Sequence, residues 1–153
     1  ITCDVNGSIP TTIRSTSIDK PYYSIDTDSM KEIDLGDKGI AVMAVHNLIE
    51  NAINYSSQGT NVTIVVEVNE EIVEITVKDQ GIGIVEENLD RIFERFYRVD
   101  PARSRATGGT GLGLSIVKHV CKNHGGEVKV WSSLGVGSTF AIRLPIVKEK
   151  VEQ

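Results

Sequence analysis

Two stretches in the middle of the chain repeat an apolar residue at every second position, and this alternation constrains the fold more than any other feature. The first is Val62–Val68, and the second is Val73–Lys78, after the short polar link Asn69–Glu71. Because side chains of a strand alternate between its two faces, the pattern predicts an antiparallel hairpin with one buried face. Further strands are predicted at Glu127–Trp131 and Thr139–Leu144, which a glycine-containing turn joins.

Helical periodicity predicts the elements that cover that buried face. Apolar residues recur at intervals of three and four from Asp37, a candidate N-cap, to about Tyr55. Similar spacing predicts a short helix over Glu86–Tyr97 and another over Gly113–His124, which a glycine pair ends. Hairpins with about three helices indicate an α/β two-layer sandwich, in which a mixed sheet is covered on one face by helices.

The length of 153 residues fits one domain, 1–153. Within 1–35, short strands are expected at Ile1–Val5 and Ile33–Leu35, and the stretch 6–30 between them is rich in loop formers. Residues 146–153 form a polar tail. The sequence opens in mid-pattern, as we expect of a domain taken from a longer protein.

Charge and composition argue against several classes of partner. The net charge of −5 argues against nucleic acid, because domains that bind it usually carry a basic face. No apolar run approaches the roughly 20 residues that cross a bilayer, so we expect no direct membrane contact. Cys3 and Cys121 provide neither a disulfide framework nor a metal-ligand pair, which favours a reducing, cytoplasmic setting.

A glycine-rich loop before the last predicted helix gives the first sign of a ligand. Gly109, Gly111 and Gly113 leave free N–H groups at a helix start, which suits phosphate. The loop lacks the lysine of a Walker A loop, and no apolar strand leads into it as a Rossmann turn requires. Five of the seven arginines lie between Arg91 and Arg105, and their planar groups match phosphate oxygens.

Polar residues inside apolar elements give the second sign. Asn47, Asn51 and Asn54 share one stripe of the first helix, although asparagine is a mediocre helix former. Their amide oxygens suit Mg²⁺, and a solvated helix face is the alternative. Asp79 ends a strand just before Gly81, where its carboxylate could accept a hydrogen bond from an adenine amine or simply form a turn.

Five segments resemble, in order, the sequence boxes of sensor histidine kinases, and the resemblance covers about residues 36–145. They are Asn47–Ala52 (N box), Asp79–Gly83 (G1 box), Ile92–Arg98 (F box), Gly109–Lys118 (G2 box) and Gly135–Phe140 (G3 box). Two departures stand out. Asn54 occupies a place where the family usually has a lysine or arginine, and the stretch 6–30 is longer than the family's usual link.

The resemblance implies the GHKL ATP-binding fold, with ATP and Mg²⁺ as ligands. It implies that Asn51 binds Mg²⁺, that Asn47 lines the phosphates and that Asp79 accepts the adenine amine. Arg98 would contact the terminal phosphate, and Arg98–Thr110 would form a lid. The implied catalytic residues are Asn47 and Arg98, and the implied nucleotide-binding set is Asn47, Asn51, Tyr55, Asp79, Gly81, Gly83, Ile84, Tyr97, Arg98, Arg103, Arg105, Gly109, Thr110, Gly111, Leu112, Gly113, Leu114, Ser138 and Thr139.

The resemblance also implies a protein-histidine kinase domain of a two-component system. ATP would donate its γ-phosphoryl group to a histidine on the protein's own separate dimerisation domain, for relay to an aspartate of a response regulator. The parent would be a membrane-anchored homodimer with this domain in the cytoplasm. ATPases of this fold carry glutamate at the position of Asn47, and an amide cannot take a proton from water, so we expect poor ATP hydrolysis.

Three other interpretations stay open. An anti-sigma-factor-type serine kinase has the same fold, but the F box and the long arginine-rich lid argue against it. The second is a non-catalytic module that only binds nucleotide or a response regulator, and the intact Asn51, Asp79 and glycine boxes argue against it. A water-splitting ATPase is disfavoured by Asn47.

Overall fold

The computed structural model describes residues 11–15, 38–101 and 111–146. The strands and helices predicted from the alternating and helical patterns are present there, with one exception described below. The expected strands Ile1–Val5 and Ile33–Leu35 and the N-cap Asp37 lie outside the described residues. The strands are Thr11–Ser15 (β1), Val62–Val68 (β2), Ile72–Lys78 (β3), Glu127–Ser133 (β4) and Gly137–Pro145 (β5), and the α-helices are Lys38–Tyr55 (α1) and Gly113–Asn123 (α2).

The described strands form one sheet in the order β1-β2-β3-β5-β4. The predicted hairpin of β2 and β3 is confirmed, with Ile64 opposite Val77. The two-layer sandwich is also confirmed, but the expected mixed sheet needs a correction, since every described strand pair is antiparallel. The second hairpin places β5 rather than β4 against β3. The sequence does not show which of these two strands lies inside, and that choice fixes the direction of pairing.

The two α-helices pack against each other and against one face of the sheet. The predicted inward residues of β3 are confirmed, with Val73, Ile75 and Val77 all buried. The apolar stripe of β2 holds only in part, because Val68 at the hairpin end is 40% exposed. The most deeply buried side chains join both layers and are Leu48, Ile49, Val73, Val77, Val117, Cys121, Ile142 and Leu144.

The helix predicted over Glu86–Tyr97 is wrong. A 3₁₀ helix covers only Glu86–Asn88, and turns follow it. Phe96 has a φ of 64° and is 68% exposed, so it can neither continue a helix nor join the core. The N–H of Phe96 donates to the carbonyl of Gly111 at 2.9 Å, and this non-local bond replaces the helical one.

The core position Val77 offers a matched test of this packing. Val77→Ala removes two methyl groups from a side chain that is 0% exposed, so we expect a loss of about 2 kcal/mol in the free energy of unfolding. The same change at Val136, which is 71% exposed on the β4–β5 turn, should have almost no effect. Urea denaturation measures both variants, and equal losses would contradict the assigned core.

Candidate functional site

A cavity of about 290 Å³ opens between α1, the end of β3, the start of β5 and the first turn of α2. Twelve of the residues predicted from the sequence line it. They are Asn47, Asn51, Tyr55, Asp79, Gly83, Ile84, Tyr97, Arg98, Gly111, Gly113, Leu114 and Ser138. The predicted residues therefore come together from separate parts of the chain.

Other predicted residues do not line the cavity. Gly81, Leu112 and Thr139 are described but are not on its wall. Gly81 contributes indirectly, because its N–H donates to the Asp79 side chain. The predictions for Arg103, Arg105, Gly109 and Thr110 fall outside the described residues.

The cavity also has lining residues that the predicted set lacks. They are Glu50, Asn54, Ile82, Ile92, Val99, Asp100 and Phe140. Helical spacing carries a signal for Glu50, which lies three residues after Asn47 and four before Asn54 on the same helix. Ile92 and Phe140 look like ordinary core residues in the sequence, and they are indeed buried. Nothing in their pattern distinguishes a core residue from one that also borders a cavity.

The cavity is lined by side chains of two kinds. Apolar side chains, such as Ile84, Ile92 and Phe140, lie on its wall. The carboxylate of Asp79 and the amides of Asn47 and Asn51, the last two from α1, supply polar groups. Arg98 and Asp100 also border the cavity, and both have interactions within the protein. Such a cavity suits a ligand with a flat, largely apolar part and a charged part.

Asp79 is fixed where β3 ends. It is only 5% exposed, and its Oδ1 accepts hydrogen bonds from the N–H of Gly81 at 2.8 Å and of Ser138 at 3.1 Å. Burial raises the pKa of the Asp79 carboxyl above the ordinary value of 3.8, and the two N–H donors act in the opposite direction. Both donors use the same oxygen, which leaves Oδ2 for a ligand in the cavity that Asp79 lines.

In the loop after Asp79, the position of Gly83 accepts only glycine without strain. This residue has a φ of 72°, which side chains other than glycine rarely adopt. A Cβ atom there would also collide with the carbonyl oxygen of Ser133 in β4. The N–H of Gly135 donates to the carbonyl of Ile82 at 2.7 Å, so the loop and the β4–β5 turn support each other. Close backbone packing therefore sets the shape of this rim of the cavity.

Side-chain contacts that the sequence analysis did not predict hold the segment around Tyr97 in place. The Tyr97 hydroxyl donates to Asn88 Oδ1 at 2.7 Å. The guanidinium carbon of Arg91 lies 4.3 Å from the centre of the Tyr97 ring, and its Nε lies 3.5 Å from Glu94 Oε1. Arg91 therefore holds this segment in place, while Arg98 is the described arginine that borders the cavity.

The described histidines have local partners. His46 Nδ1 lies 3.7 Å from Glu50 Oε2, and His119 Nε2 lies 3.1 Å from Asn123 Nδ2. His124 Nδ1 lies 2.9 Å from the carbonyl of Val120. Within the described residues, no group of three or more histidine, cysteine, aspartate or glutamate side chains is placed to hold a metal ion. A metal in the cavity would need oxygens of the ligand itself, together with amide oxygens or a single carboxylate such as that of Glu50.

Residues 36–148 match the family of histidine kinase-, DNA gyrase B- and HSP90-like ATPases. The match covers most of the chain, which therefore belongs to this family of ATP-binding domains. Membership of this family implies that the domain binds ATP. Among the described residues, no helix is both long and apolar enough to cross a bilayer.

Curated relatives narrow the class to sensor kinases. The chain is 52% identical over 128 residues to the sensor-like histidine kinase SenX3 of Mycolicibacterium smegmatis, covering 83% of this chain and 33% of SenX3. It is 46% identical over 131 residues to the sensor histidine kinase WalK of Bacillus subtilis, covering 84% of this chain and 20% of WalK. The chain thus spans about a third or less of these relatives, and the serine-kinase alternative is not favoured.

Solved structures agree. The mycobacterial sensor histidine kinase MprB superposes with a TM-score of 0.63 at 34% identity, covering 72% of this chain and 73% of that one. Full-length ShkA, solved in complex with AMPPNP, gives a TM-score of 0.60 at 30% identity, covering 72% of this chain and 22% of ShkA. The GHKL sandwich expected from the sequence is therefore confirmed.

The buried carboxylate predicts a pH-dependent stability. Because folding raises the pKa of Asp79, its contribution to stability falls as pH rises from the unfolded-state pKa through the folded-state pKa. Asp79→Asn keeps an acceptor for both N–H groups but cannot ionise. We expect its melting temperature to rise relative to that of the wild type as the pH increases from about 3.8 through the raised pKa of Asp79.

Thermal denaturation across that pH range measures the effect, with Asp90→Asn as the control. Asp90 is exposed, so the same change there should give no such gain. A difference between Asp79→Asn and the wild type that does not change with pH would contradict the role assigned to burial.

Proposed function

We propose that this chain is the catalytic domain of a two-component sensor histidine kinase and that it binds Mg²⁺-ATP in the cavity. The observation that carries the proposal is that one cavity is lined by a fixed, buried carboxylate, by apolar side chains and by a row of amides from α1. ATP has matching parts, a flat base with an exocyclic amine and a charged triphosphate chain. The amine is a hydrogen-bond donor, which suits the open oxygen of Asp79.

At the base end, the ring of adenine would lie among Ile84, Ile92 and Phe140, with its amine directed to Asp79. Phe140 is held against Phe93 in an edge-to-face arrangement, with ring centres 6.4 Å apart. Aromatic and aliphatic walls exclude water from a flat ligand, and a single polar contact then sets its orientation. Gly83 would form part of the wall beside the base, in the place that its packing against Ser133 fixes.

At the phosphate end, Asn51 would supply an amide oxygen to Mg²⁺, and Asn47 would lie beside the phosphates. The chemistry of the donors fits, because Mg²⁺ prefers oxygen ligands and takes few of them from protein when phosphates and water supply the rest. Glu50, on the same wall, is a further oxygen donor. When bound, the ion would neutralise phosphate charge during transfer. Arg98 would contact the γ-phosphoryl group.

The reaction we propose is transfer of the γ-phosphoryl group to an imidazole nitrogen of another domain. The bond between the γ-phosphorus and the β,γ-bridging oxygen breaks, a phosphorus–nitrogen bond forms, and ADP leaves with the bridging oxygen. The imidazole proton is lost to solvent. Asn47 favours this acceptor over water, because a carboxamide cannot act as a general base. The acceptor would be the histidine of the dimerisation domain in a homodimeric, membrane-anchored parent, and a response regulator aspartate would take the phosphoryl group next.

If Asn51 binds Mg²⁺, removing its side chain should weaken the effect of Mg²⁺ on ATP affinity. Calorimetry on the isolated chain should show ATP binding that Mg²⁺ strengthens, and Asn51→Ala should reduce that Mg²⁺-dependent gain by about tenfold. Asn123→Ala is the matched control, because Asn123 is an exposed residue of α2 that lies outside the cavity. An unchanged Mg²⁺ effect in Asn51→Ala would mean that the asparagine stripe is only a polar helix face.

The proposed contact of Arg98 with the γ-phosphoryl group predicts that a substitution there affects phosphoryl transfer more than nucleotide binding. Mixed with the dimerisation domain of its parent, the chain should label that domain's histidine from radioactive ATP, giving an acid-labile, base-stable product. Arg98→Ala should lower this transfer more than ADP affinity, because its proposed contact is to the phosphate that ADP lacks. Arg143→Ala is the control, since Arg143 pairs with Glu74 on the sheet face away from the helices. An acid-stable label on serine would contradict histidine transfer.

A further inference from the structure

Ser132 of β4 makes three close contacts, two of them with the cavity-lining residues Ile84 and Ser138. The N–H of Ile84 donates to its hydroxyl at 2.8 Å. The same hydroxyl lies 3.1 Å from the carbonyl oxygen of Gly137 and 2.8 Å from the hydroxyl oxygen of Ser138. It thus connects the loop after Asp79 to the start of β5, although it is not on the cavity wall itself.

The number of hydrogens decides the direction of these bonds. A serine hydroxyl has one hydrogen to donate and two lone pairs that accept. The N–H of Ile84 uses one lone pair of Ser132, and the carbonyl of Gly137 can only accept. If Ser132 donates to Gly137, the contact with Ser138 is satisfied only when Ser138 donates to Ser132. The opposite arrangement leaves Ser132 and Gly137 with two acceptors facing each other.

This direction determines what Ser138 offers to a ligand. Ser138 lines the cavity and is 5% exposed. With its hydrogen committed to Ser132, its oxygen can only accept. Its N–H is also committed, because it donates to Asp79 Oδ1 at 3.1 Å. The base end therefore presents acceptors, a carboxylate and a hydroxyl oxygen, and no donor from either residue.

We propose that Ser132 is a positioning residue that sets base specificity, because it keeps the hydroxyl hydrogen of Ser138 away from the ligand. A base with an exocyclic amine on this edge, such as adenine, is a donor and meets acceptors. Guanine has a carbonyl on the corresponding edge, which meets acceptors on both Asp79 and Ser138 and is rejected. Unpaired acceptors are a strong source of discrimination. The inference rests on the proposed binding of ATP in this cavity.

The test is the ratio of dissociation constants for GTP and ATP, measured by calorimetry on the whole chain. The wild type should prefer ATP. Ser132→Ala frees the hydrogen of Ser138 to turn toward a guanine carbonyl, so the ratio of Kd for GTP to Kd for ATP should fall by about threefold to tenfold. Hydrogen exchange at the Ile84 N–H should also become faster, because its acceptor is gone.

Two variants control for a general loss of structure. Ser133→Ala, on the next and exposed residue of β4, should keep the wild-type ratio. Ser132→Thr retains the hydroxyl and should keep a ratio near that of the wild type. Ser138→Ala removes the hydroxyl oxygen from the cavity and should lower the ratio directly. Adding Ser132→Ala to Ser138→Ala should then cause no further fall.

The outcomes separate the two proposals. A wild type with equal affinity for ATP and GTP would overturn adenine binding at Asp79, and the role of Ser132 with it. A wild type that prefers ATP, together with a Ser132→Ala variant that loses affinity for both nucleotides equally, would overturn the role of Ser132 alone. If Ser132→Ala does not fold, an unchanged ratio in Ser138→Ala would overturn that role instead.

Discussion

The junction between Asp79 and Ser138 is the contact on which both the sheet and the site depend. The N–H of Asp79 donates to the carbonyl of Ser138 at 2.9 Å, and the N–H of Ser138 donates to Asp79 Oδ1 at 3.1 Å. These bonds lie directly beyond the last β3–β5 pair, Lys78 with Thr139. The sheet therefore positions the carboxylate through its own ladder. No flexible loop stands between the core and the group proposed to select the base.

Burial of the charged Asp79 carboxylate lowers the stability of the fold. A carboxylate taken out of water favours its neutral form, and two N–H donors only partly offset that preference. A carboxylate at this place is more than the fold needs, because an asparagine could accept the same two bonds. The charge is thus better explained by the ligand than by the sheet, in keeping with the frequent conflict between stability and activity at binding sites.

The sequence predicts those parts of the molecule that depend on local pattern. The alternation of β3 gives the buried positions of Val73 and Val77, and helical spacing gives the stripe of Asn47 and Asn51. The resemblance to the sensor kinase boxes adds Asp79, which no local pattern distinguishes from a turn residue. The sequence therefore predicts well the residues that one element contributes to the cavity, but not how the elements meet around it.

The features that the sequence misses depend on contacts between distant segments. Ser132 is one of several serines in β-strands, and its importance comes from meeting Ile84, 48 positions earlier in the chain. Phe96 looks like a buried helical residue until the bond to Gly111 turns its backbone. The sequence also does not show which glycines the packing requires. Gly83 must be glycine for packing, whereas a Cβ atom at Gly113 would lie 3.8 Å from Asn47 Oδ1, an ordinary contact.

Gly83 and Gly113 are therefore glycine for different reasons. Gly113 has no positive φ, and no described neighbour would collide with a side chain there. Neither backbone strain nor packing among the described residues explains its presence. We propose that glycine here lets a ligand approach the N–H groups at the start of α2, beside the amides of α1, where the phosphate chain of a nucleotide would lie.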